Sequence, residues 1–252
     1  MGRFFTGALL WFFLSGLVFA QNGVVLVNDP WPPYVLGDAA DGSQATSGIA
    51  VELINQIFNR IDGVDAKVLL TPWKRSLHGV AIGSYDGIPM LFKTVDREEY
   101  MVFSAPLFEA RTVFFYKPAR FPEGISWKDY EDLTGYKIAV QGSFSIADTM
   151  QKQIDNGVAL NVAMMDTDKD CFRLLALDRV DLVATNEIVG QEFVKRLGLE
   201  RKIIATSKSL YEKPFYIGFS KKTEARKLLP QINRVIHELQ DSGVIDEIIT
   251  AH

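Results

Sequence analysis

KDCFRLLALDRVDLVAT, residues 169–185, repeats the pattern of KRSLHGVAIGSYDGIPML, residues 74–91. In each segment a helical stretch is followed by a turn, an aspartate (Asp181 or Asp86) and a short apolar strand. Strands that alternate with helices are typical of parallel sheets in α/β proteins. The duplication therefore predicts two similar lobes, each built around such a sheet.

Further strands and helices extend both units in the same alternating order. Apolar residues at helical or strand spacing identify each of these elements. They are strands at residues 24–27, 66–70, 136–140 and 160–164, and helices at residues 49–61 and 146–156. The fold class is therefore predicted to be α/β, with two Rossmann-like lobes around central, mainly parallel sheets.

Two more strands, at residues 112–116 and 214–219, lie outside the repeated units and are predicted to connect the lobes. A linker rich in proline and glycine follows the first, and a helix at about residues 224–240 follows the second. The second lobe is thus expected to be an insertion, with two chain crossings acting as a hinge. The predicted boundaries are 21–116 for lobe 1, 117–216 for lobe 2, and 217–252 for the return to lobe 1 with the C-terminal helix.

The first twenty residues have the layout of a secretory signal peptide. Arg3 supplies a positive charge, residues 4–20 are apolar and uncharged, and Val18-Phe19-Ala20 resembles a cleavage site. We expect cleavage after Ala20 and a mature protein outside the cytoplasm. The alternative is an uncleaved anchor, although the run is shorter than the ~20 residues that span a bilayer.

Composition excludes several classes of function. The chain has 252 residues, is 48% hydrophobic and carries 27 basic and 31 acidic residues, so it offers no basic field for a nucleic acid. Its single cysteine, Cys171, excludes an intramolecular disulfide, and we expect it to be a buried apolar residue. The three histidines lie far apart in sequence, so no helical His-x-x-x-His metal pair is present. We expect a monomer without metal or cofactor.

Ligands of open parallel sheets bind at the carboxyl ends of the strands, where the loops converge. Aromatic rings, arginines and hydroxyl groups in those loops indicate a small, partly apolar organic anion or zwitterion. The candidate ligand-binding residues are Trp31, Tyr34, Trp73, Arg75, Phe92, Thr94, Arg97, Ser143, Phe144 and Asn186.

Several motifs occur in a fixed order along residues 24–250. They are PY at 33–34, GIAVEL at 48–53, Gly83 with Asp86, TVDRE at 94–98 before FSAP at 103–106, and LTGYKIAVQGS at 133–143. In this order they resemble the bacterial extracellular solute-binding proteins of family 3, the periplasmic receptors of amino-acid-type ABC importers. Residues 71–75, TPWKR, are similar to a Pro-Trp-x-Arg variant found in one branch of that family.

The resemblance implies the periplasmic binding protein type II architecture, closure of the lobes on a ligand, a periplasmic location and a membrane permease as partner. Arg97 matches the arginine that binds the ligand α-carboxylate through two N–H donors. The alternative is a surface arginine paired with Glu98 or Glu99. Trp31 matches an aromatic residue that stacks on the ligand, and Ser143 a hydroxyl residue at a helix start. Their alternatives are a packing residue and an ordinary helix cap.

Lys74 and Arg75 place positive charge in the first turn of a predicted helix, where it opposes the helix dipole. Such a conflict is typical of a functional site, and it supports Arg75 and the neighbouring Trp73 as candidates. The alternative is that both basic side chains point into solvent.

The chain departs from the amino-acid receptors at two positions. Asn186 stands where they usually place an acid that binds the α-ammonium, and Glu187 is expected to face away if the strand continues its alternation. Phe92 replaces a hydroxyl residue five positions before Arg97. Both changes make the cleft less polar. An organic acid, an aromatic or modified ligand and a small peptide therefore remain open beside an amino acid.

The sequence favours a solute receptor over an enzyme. The alternative is a periplasmic enzyme on the same scaffold, similar to cyclohexadienyl dehydratases, which decarboxylate and dehydrate aromatic-forming acids. Such chemistry needs an acid in the cleft to protonate a leaving hydroxyl group. Asp29 and Glu187 are the only obvious carboxyl groups in the predicted cleft loops, and no histidine lies there.

Overall fold

The computed structural model describes residues 23–252, and the expected signal peptide lies outside this range. The strands are β1 (Val24–Asn28), β2 (Ala66–Leu70), β3 (Gly87–Phe92), β4 (Met101–Phe103), β5 (Glu109–Tyr116), β6 (Lys137–Gln141), β7 (Asn161–Met165), β8 (Leu182–Asn186) and β9 (Ile204–Ser220). The helices are α1 (Ile49–Phe58), α2 (Trp73–Ile82), α3 (Val95–Glu98), α4 (Ser145–Asp155), α5 (Asp168–Ala176), α6 (Glu187–Arg196), α7 (Leu229–Asp241) and α8 (Val244–Thr250). None of the helices in residues 23–252 is long and apolar enough to cross a membrane.

The strands form one continuous hydrogen-bonded order, β2-β1-β3-β9-β5-β8-β6-β7, with β4 beside β9. In the first lobe β1 is parallel to β2 and β3, and in the second β6 is parallel to β7 and β8. The 17-residue strand β9 runs antiparallel to β3 and β4 at its end and to β5 at its start. The predicted α/β fold of two mainly parallel lobes joined by a hinge is confirmed.

Each lobe has its own apolar core on both faces of its sheet. In lobe 1 the fully buried residues Ile49, Leu53 and Ile57 recur at helical spacing and turn one face of α1 to the core. In lobe 2 the neighbouring residues Phe114 and Phe115 point to opposite faces of β5, as alternation in a strand requires. Each packs edge-on against another aromatic ring, one on either side of the sheet.

The structure differs from the predicted elements mainly where a capping residue ends a strand. Helix α6 was not predicted, because residues 186–190 were interpreted as a loop after the strand at residues 182–185. The Asn186 side chain instead accepts a hydrogen bond from the Val189 N–H and begins the helix. The predicted C-terminal helix is a 3-10 turn followed by α7 and α8, which are separated by Gly243 in a left-handed conformation (φ 77°).

Strand β9 begins ten residues earlier than the predicted strand at 214–219, and β4 was not predicted. Strand β5 lies before the predicted lobe boundary at residue 116, yet its residues 112–116 pair with β8 of the second lobe. Strand β9 changes its pairing partner from β5 to β3 between two neighbouring residues. Pro214 pairs with Glu109 of β5, and Phe215 pairs with Phe92 of β3. The lobe boundaries at residues 116 and 216 stay a prediction.

Helix α6 packs so closely on β5 that only glycine fits at its centre. A Cβ atom on Gly190 would lie 2.1 Å from the ring of the buried Phe115. We expect Gly190→Ala to lower the free energy of unfolding by about 1–3 kcal/mol, because the ring cannot move without disturbing its neighbours. Urea unfolding measures the change.

Gly135→Ala is the matched control, because a Cβ atom on this exposed glycine meets nothing within 4 Å. Its effect should stay within about 0.5 kcal/mol. Equal stability of the two variants would contradict the close contact between α6 and β5.

Candidate ligand-binding site

A cleft lies between the lobes, at the carboxyl ends of β1, β3 and β8 and beside the start of α4. The space open to the centre of a water molecule is about 50 Å³, which is room for a few waters. Its lining residues are Asn28, Asp29, Trp31, Trp73, Met90, Leu91, Phe92, Arg97, Thr112, Phe144, Ser145, Ile146, Thr185, Asn186, Tyr211 and Phe215. Both lobes contribute, so the relative position of the lobes determines the shape of the cleft.

The cleft brings together six of the ten candidates that the sequence identified. These six come from five separate loops and helix starts, which the strand ends hold side by side. They are Trp31, Trp73, Phe92, Arg97, Phe144 and Asn186.

The other four candidates do not line the cleft. Tyr34 is fully buried behind it, and Arg75 is exposed in the first turn of α2, so its charge is solvated. Thr94 accepts a hydrogen bond from a backbone N–H of α3 and caps that helix. Ser143 precedes α4 by two residues, and its hydroxyl lies 3.5 Å from the side-chain amide of Gln141.

Aromatic rings form the apolar wall of the cleft and connect the lobes. Phe92 stacks on Phe215 with ring centroids 4.4 Å apart and an interplanar angle of 7°. Trp31 packs edge-on against Phe215 on one side and against Phe144 of lobe 2 on the other, at centroid distances of 5.7 and 5.4 Å. A ligand that enters between Trp31 and Phe144 must therefore separate or replace this ring contact.

Arg97 lies in the cleft without an anionic partner. Its Nη1 donates a hydrogen bond of 2.6 Å to the Phe92 carbonyl, and the guanidinium lies 5.4 Å from the centre of the Trp73 ring. No carboxylate within residues 23–252 forms an ion pair with it, and Glu98 pairs instead with Lys93 at 2.7 Å. The alternative of a surface ion pair with Glu98 or Glu99 is therefore wrong. Arg97 is half-buried, and its partial desolvation lowers its pKa, because removing a cation from water without an anionic partner is costly.

Asn186 is held by one contact from each side of the cleft. Its Oδ1 accepts hydrogen bonds from the Tyr34 hydroxyl at 2.9 Å and from the Val189 N–H at 3.1 Å. Burial raises the pKa of Tyr34, so this hydroxyl keeps its proton and acts as the donor. The Nδ2 of Asn186 is buried without a hydrogen-bond partner.

Asp29 is the only carboxyl group among the cleft residues in the described part of the chain. Burial raises its pKa from 3.8 to about 7, and the nearby Asp168 adds to the shift. Asp168 is itself buried and accepts a hydrogen bond of 2.8 Å from Thr185, and burial raises its pKa to about 6. Glu187 lies outside the cleft in the first turn of α6, where it pairs with Arg111 at 2.7 Å.

Sequence reasoning missed several lining residues, above all Tyr211 and Phe215 in β9. These residues lie four apart, so a regular strand places them on one face. Thr112, the register partner of Tyr211, also lines the cleft. Their shared face was the available signal, but the predicted crossing strand covered only residues 214–219 and left Tyr211 out. Ser145 and Ile146 line the cleft because α4 begins there without a side-chain cap.

A cleft enclosed by two separate α/β lobes is typical of proteins that bind a small ligand between domains. No group of His, Cys, Asp or Glu in residues 23–252 could hold a metal ion. The model of the bacterial extracellular solute-binding proteins, family 3, matches residues 24–252, and the chain belongs to this family. A search of curated protein sequences returns no match.

Solved structures with the same fold include proteins that bind amino acids. A mutant of ArgBP from T. maritima is 25% identical, with a TM-score of 0.70, and the match covers 91% of this chain and 94% of that one. AbpA from Streptococcus pneumoniae, an amino acid ABC transporter substrate-binding protein bound to L-arginine, is 21% identical (TM-score 0.72; 92% and 94% covered). AncCDT-1, an ancestral amino acid-binding protein and precursor of cyclohexadienyl dehydratase, is 17% identical (TM-score 0.72; 92% and 95% covered).

The raised pKa of Asp29 predicts a pH-dependent stability. The folded state keeps a proton on Asp29 up to about pH 7, whereas the unfolded chain releases it near 3.8. The free energy of unfolding should therefore fall as the pH rises through this interval and level off above it. A pKa difference of about 3 corresponds to at most about 4 kcal/mol.

Asp29→Asn should make this dependence shallower, as measured by urea unfolding between about pH 4 and about pH 8. Asp38→Asn removes a carboxylate from an exposed loop and serves as the control. If the Asp29→Asn curve runs parallel to that of the unchanged protein, Asp29 titrates normally in the folded state.

Proposed function

We propose that the protein is a periplasmic receptor that captures a small carboxylate-bearing ligand, an amino acid or a related organic acid, and delivers it to an ABC importer. The single observation that carries this proposal is Arg97, a half-buried guanidinium in the cleft with no carboxylate partner in residues 23–252. A planar carboxylate fits two parallel N–H donors and would remove the cost of the unpaired charge.

The start of α4 supports an anionic ligand from the opposite lobe. Its first two residues, Ser145 and Ile146, line the cleft, no side chain in residues 23–252 caps the helix, and the positive end of a helix dipole favours negative charge. The aromatic wall supports a ligand with an apolar part, because Trp31 and Phe92 line the same cleft as the guanidinium. Bound between Arg97 and α4, such a ligand would touch both lobes and favour their closed arrangement.

Delivery and location are inferred from the family and from the N-terminal sequence. Family 3 consists of extracellular solute-binding proteins, and the similar AbpA is an ABC transporter substrate-binding protein. The apolar segment that ends at Ala20 has the pattern of an export signal. We therefore propose a monomeric periplasmic protein whose partner is a membrane permease.

Arg97→Ala tests the proposal directly. A thermal-shift screen of amino acids and organic acids first identifies a ligand, because binding to the folded state raises the melting temperature. Loss of the guanidinium should then weaken binding by about 2–5 kcal/mol, which is roughly 30-fold to several thousand-fold. Arg97→Lys should restore binding only in part, since an ammonium lacks the fork of two donors. Calorimetric titration measures each affinity.

Arg75→Ala is the matched control. It removes the same charge from an exposed position outside the cleft, so we expect an unchanged affinity. Urea unfolding of each variant separates lost binding from lost folding. Undiminished affinity in Arg97→Ala would remove the reason to expect a carboxylate at this position.

Asp29 favours a second candidate function, an enzyme similar to cyclohexadienyl dehydratase. With a pKa of about 7, this carboxyl group is about half protonated at neutral pH and can donate a proton. In that reaction the substrate carboxylate would leave as CO₂, its electron pair would form the aromatic ring, and Asp29 would protonate the departing hydroxyl as water. AncCDT-1 is a precursor of such an enzyme on the same fold.

Incubation with prephenate separates the two candidates. A receptor leaves prephenate unchanged, whereas an enzyme produces the aromatic absorbance of phenylpyruvate. An activity that persists in Asp29→Asn would exclude Asp29 as its acid, and no absorbance change in the unchanged protein would exclude this reaction.

A further inference from the structure

The amide of Asn186 offers the cleft a hydrogen-bond donor and has no free acceptor. Its Oδ1 already accepts two hydrogen bonds, from the Tyr34 hydroxyl and from the Val189 N–H. An amide oxygen has two lone pairs, so both are used. The other amide atom, Nδ2, is buried and without a partner within residues 23–252. A ligand at this position therefore meets an N–H group.

The orientation of this amide is fixed by the chain itself. The Val189 N–H can only donate, and it points at the side chain that caps α6. Exchanging Oδ1 and Nδ2 would place two N–H donors 3.1 Å apart and leave the helix start uncapped. Nδ2 is therefore the amide atom whose hydrogen-bonding capacity is unused among the described residues.

The other unpartnered polar atoms of the cleft are mainly donors as well. The indole Nε1 atoms of Trp31 and Trp73 are buried without a hydrogen bond, and both residues line the cleft. Together with the Arg97 guanidinium they make the cleft rich in donors. The unpartnered acceptor on a lining residue is Oδ1 of Asn28. An ammonium group brings three more N–H donors and a positive charge, whereas an oxygen atom accepts from the donors already present.

We propose that the cleft selects a carboxylic acid that carries an oxygen at the carbon where an amino acid carries its ammonium group. The ligand class is thus a 2-oxo or 2-hydroxy acid with an apolar side chain. This inference rests on the proposed function, because Arg97 holds the carboxylate while Asn186 Nδ2 donates to the neighbouring oxygen. The apolar side chain packs against the rings of Trp31 and Phe92.

Asp29 is the cleft group that could bind an ammonium instead. Its Oδ1 lies 3.4 Å from Asn28 Nδ2, which also donates to the Asp29 carbonyl at 2.9 Å. The carboxyl keeps its proton more readily than a solvated one, because it is desolvated and lies near Asp168. A protonated carboxyl adds one more donor to the cleft. This donor also suits an oxygen atom of the ligand. An ionised Asp29 would instead favour the amino acid over the oxo acid.

Matched pairs of acids with one carbon skeleton test the inference by calorimetric titration. The probes are phenylpyruvate against L-phenylalanine, 4-methyl-2-oxopentanoate against L-leucine, and pyruvate against L-alanine. We expect the oxo acid of at least one pair to bind about tenfold or more tightly than its amino acid, because an unpaired buried donor rejects the wrong partner.

Asn186→Asp is the decisive variant. An aspartate oxygen still accepts from Val189 and Tyr34 and is a favourable helix cap, so the fold should be kept. The second oxygen replaces the Nδ2 donor with an acceptor. We expect the affinity for the oxo acid to fall about tenfold or more and the affinity for the amino acid to rise, because a carboxylate partners an ammonium. Added negative charge alone would weaken the binding of both acids, so the increased affinity for the amino acid is the specific readout.

Asn161→Asp adds the same charge at an exposed position of β7 and should leave both affinities unchanged. Tighter binding of the amino acid in every pair that binds to the unchanged protein would overturn the inference while leaving the receptor function intact. Failure of all six probes to bind would overturn the inference, whereas the thermal-shift screen of amino acids and organic acids decides separately whether the receptor function holds. Weaker binding of both acids in Asn186→Asp would also contradict the role given to Nδ2.

Discussion

The amide oxygen of Asn186 accepts two buried hydrogen bonds, and the geometry of the cleft depends on both. The bond from the Val189 N–H ends β8 and begins α6. The bond from the Tyr34 hydroxyl links this helix start to the apolar core of the first lobe. A buried acceptor that lost either donor would carry an unpaired lone pair, which is costly. The residue therefore cannot also offer its oxygen to a ligand. The packing between the lobes thus determines that Asn186 acts as a hydrogen-bond donor rather than an acceptor in the cleft.

Most of the fold could be predicted because the same order of helix, turn and strand occurs twice in the sequence. The segments at 74–91 and 169–185 show the same order of helix, turn and strand, and each corresponds to a helix and strand in the structure, α2 with β3 and α5 with β8. Helix α6 could not be predicted in this way, since its start depends on one side chain. The apolar residues before Asn186 are typical of a strand, whereas its own side-chain oxygen can cap a helix. The hydrogen bond from Tyr34 further stabilises the capping conformation.

Site residues in loops after strand ends could be predicted from the sequence. Site residues on a helix could not, because the rotation of the helix about its axis determines which side chains face the cleft. Loops after parallel strands converge, so Trp31 and Arg97 reach one cleft from distant parts of the chain. Trp73 and Arg75 lie two residues apart in the first turn of α2, and successive helical positions differ by about 100° in direction. Trp73 lies in the cleft and Arg75 in solvent. No local pattern in the sequence indicates which of the two faces the other lobe.

Two groups of the cleft are in unfavourable states. Arg97 is a half-buried cation that forms no ion pair within residues 23–252, and Asp29 is a carboxyl group whose desolvation favours the protonated form. Neither state stabilises the folded chain, so both are explained more readily by a ligand than by packing. A carboxylate at Arg97 would neutralise the cation, and the same ligand would exclude water from between the lobes. Part of the binding free energy would then come from relief of strain that the protein already carries, which favours closure only when the correct anion is present.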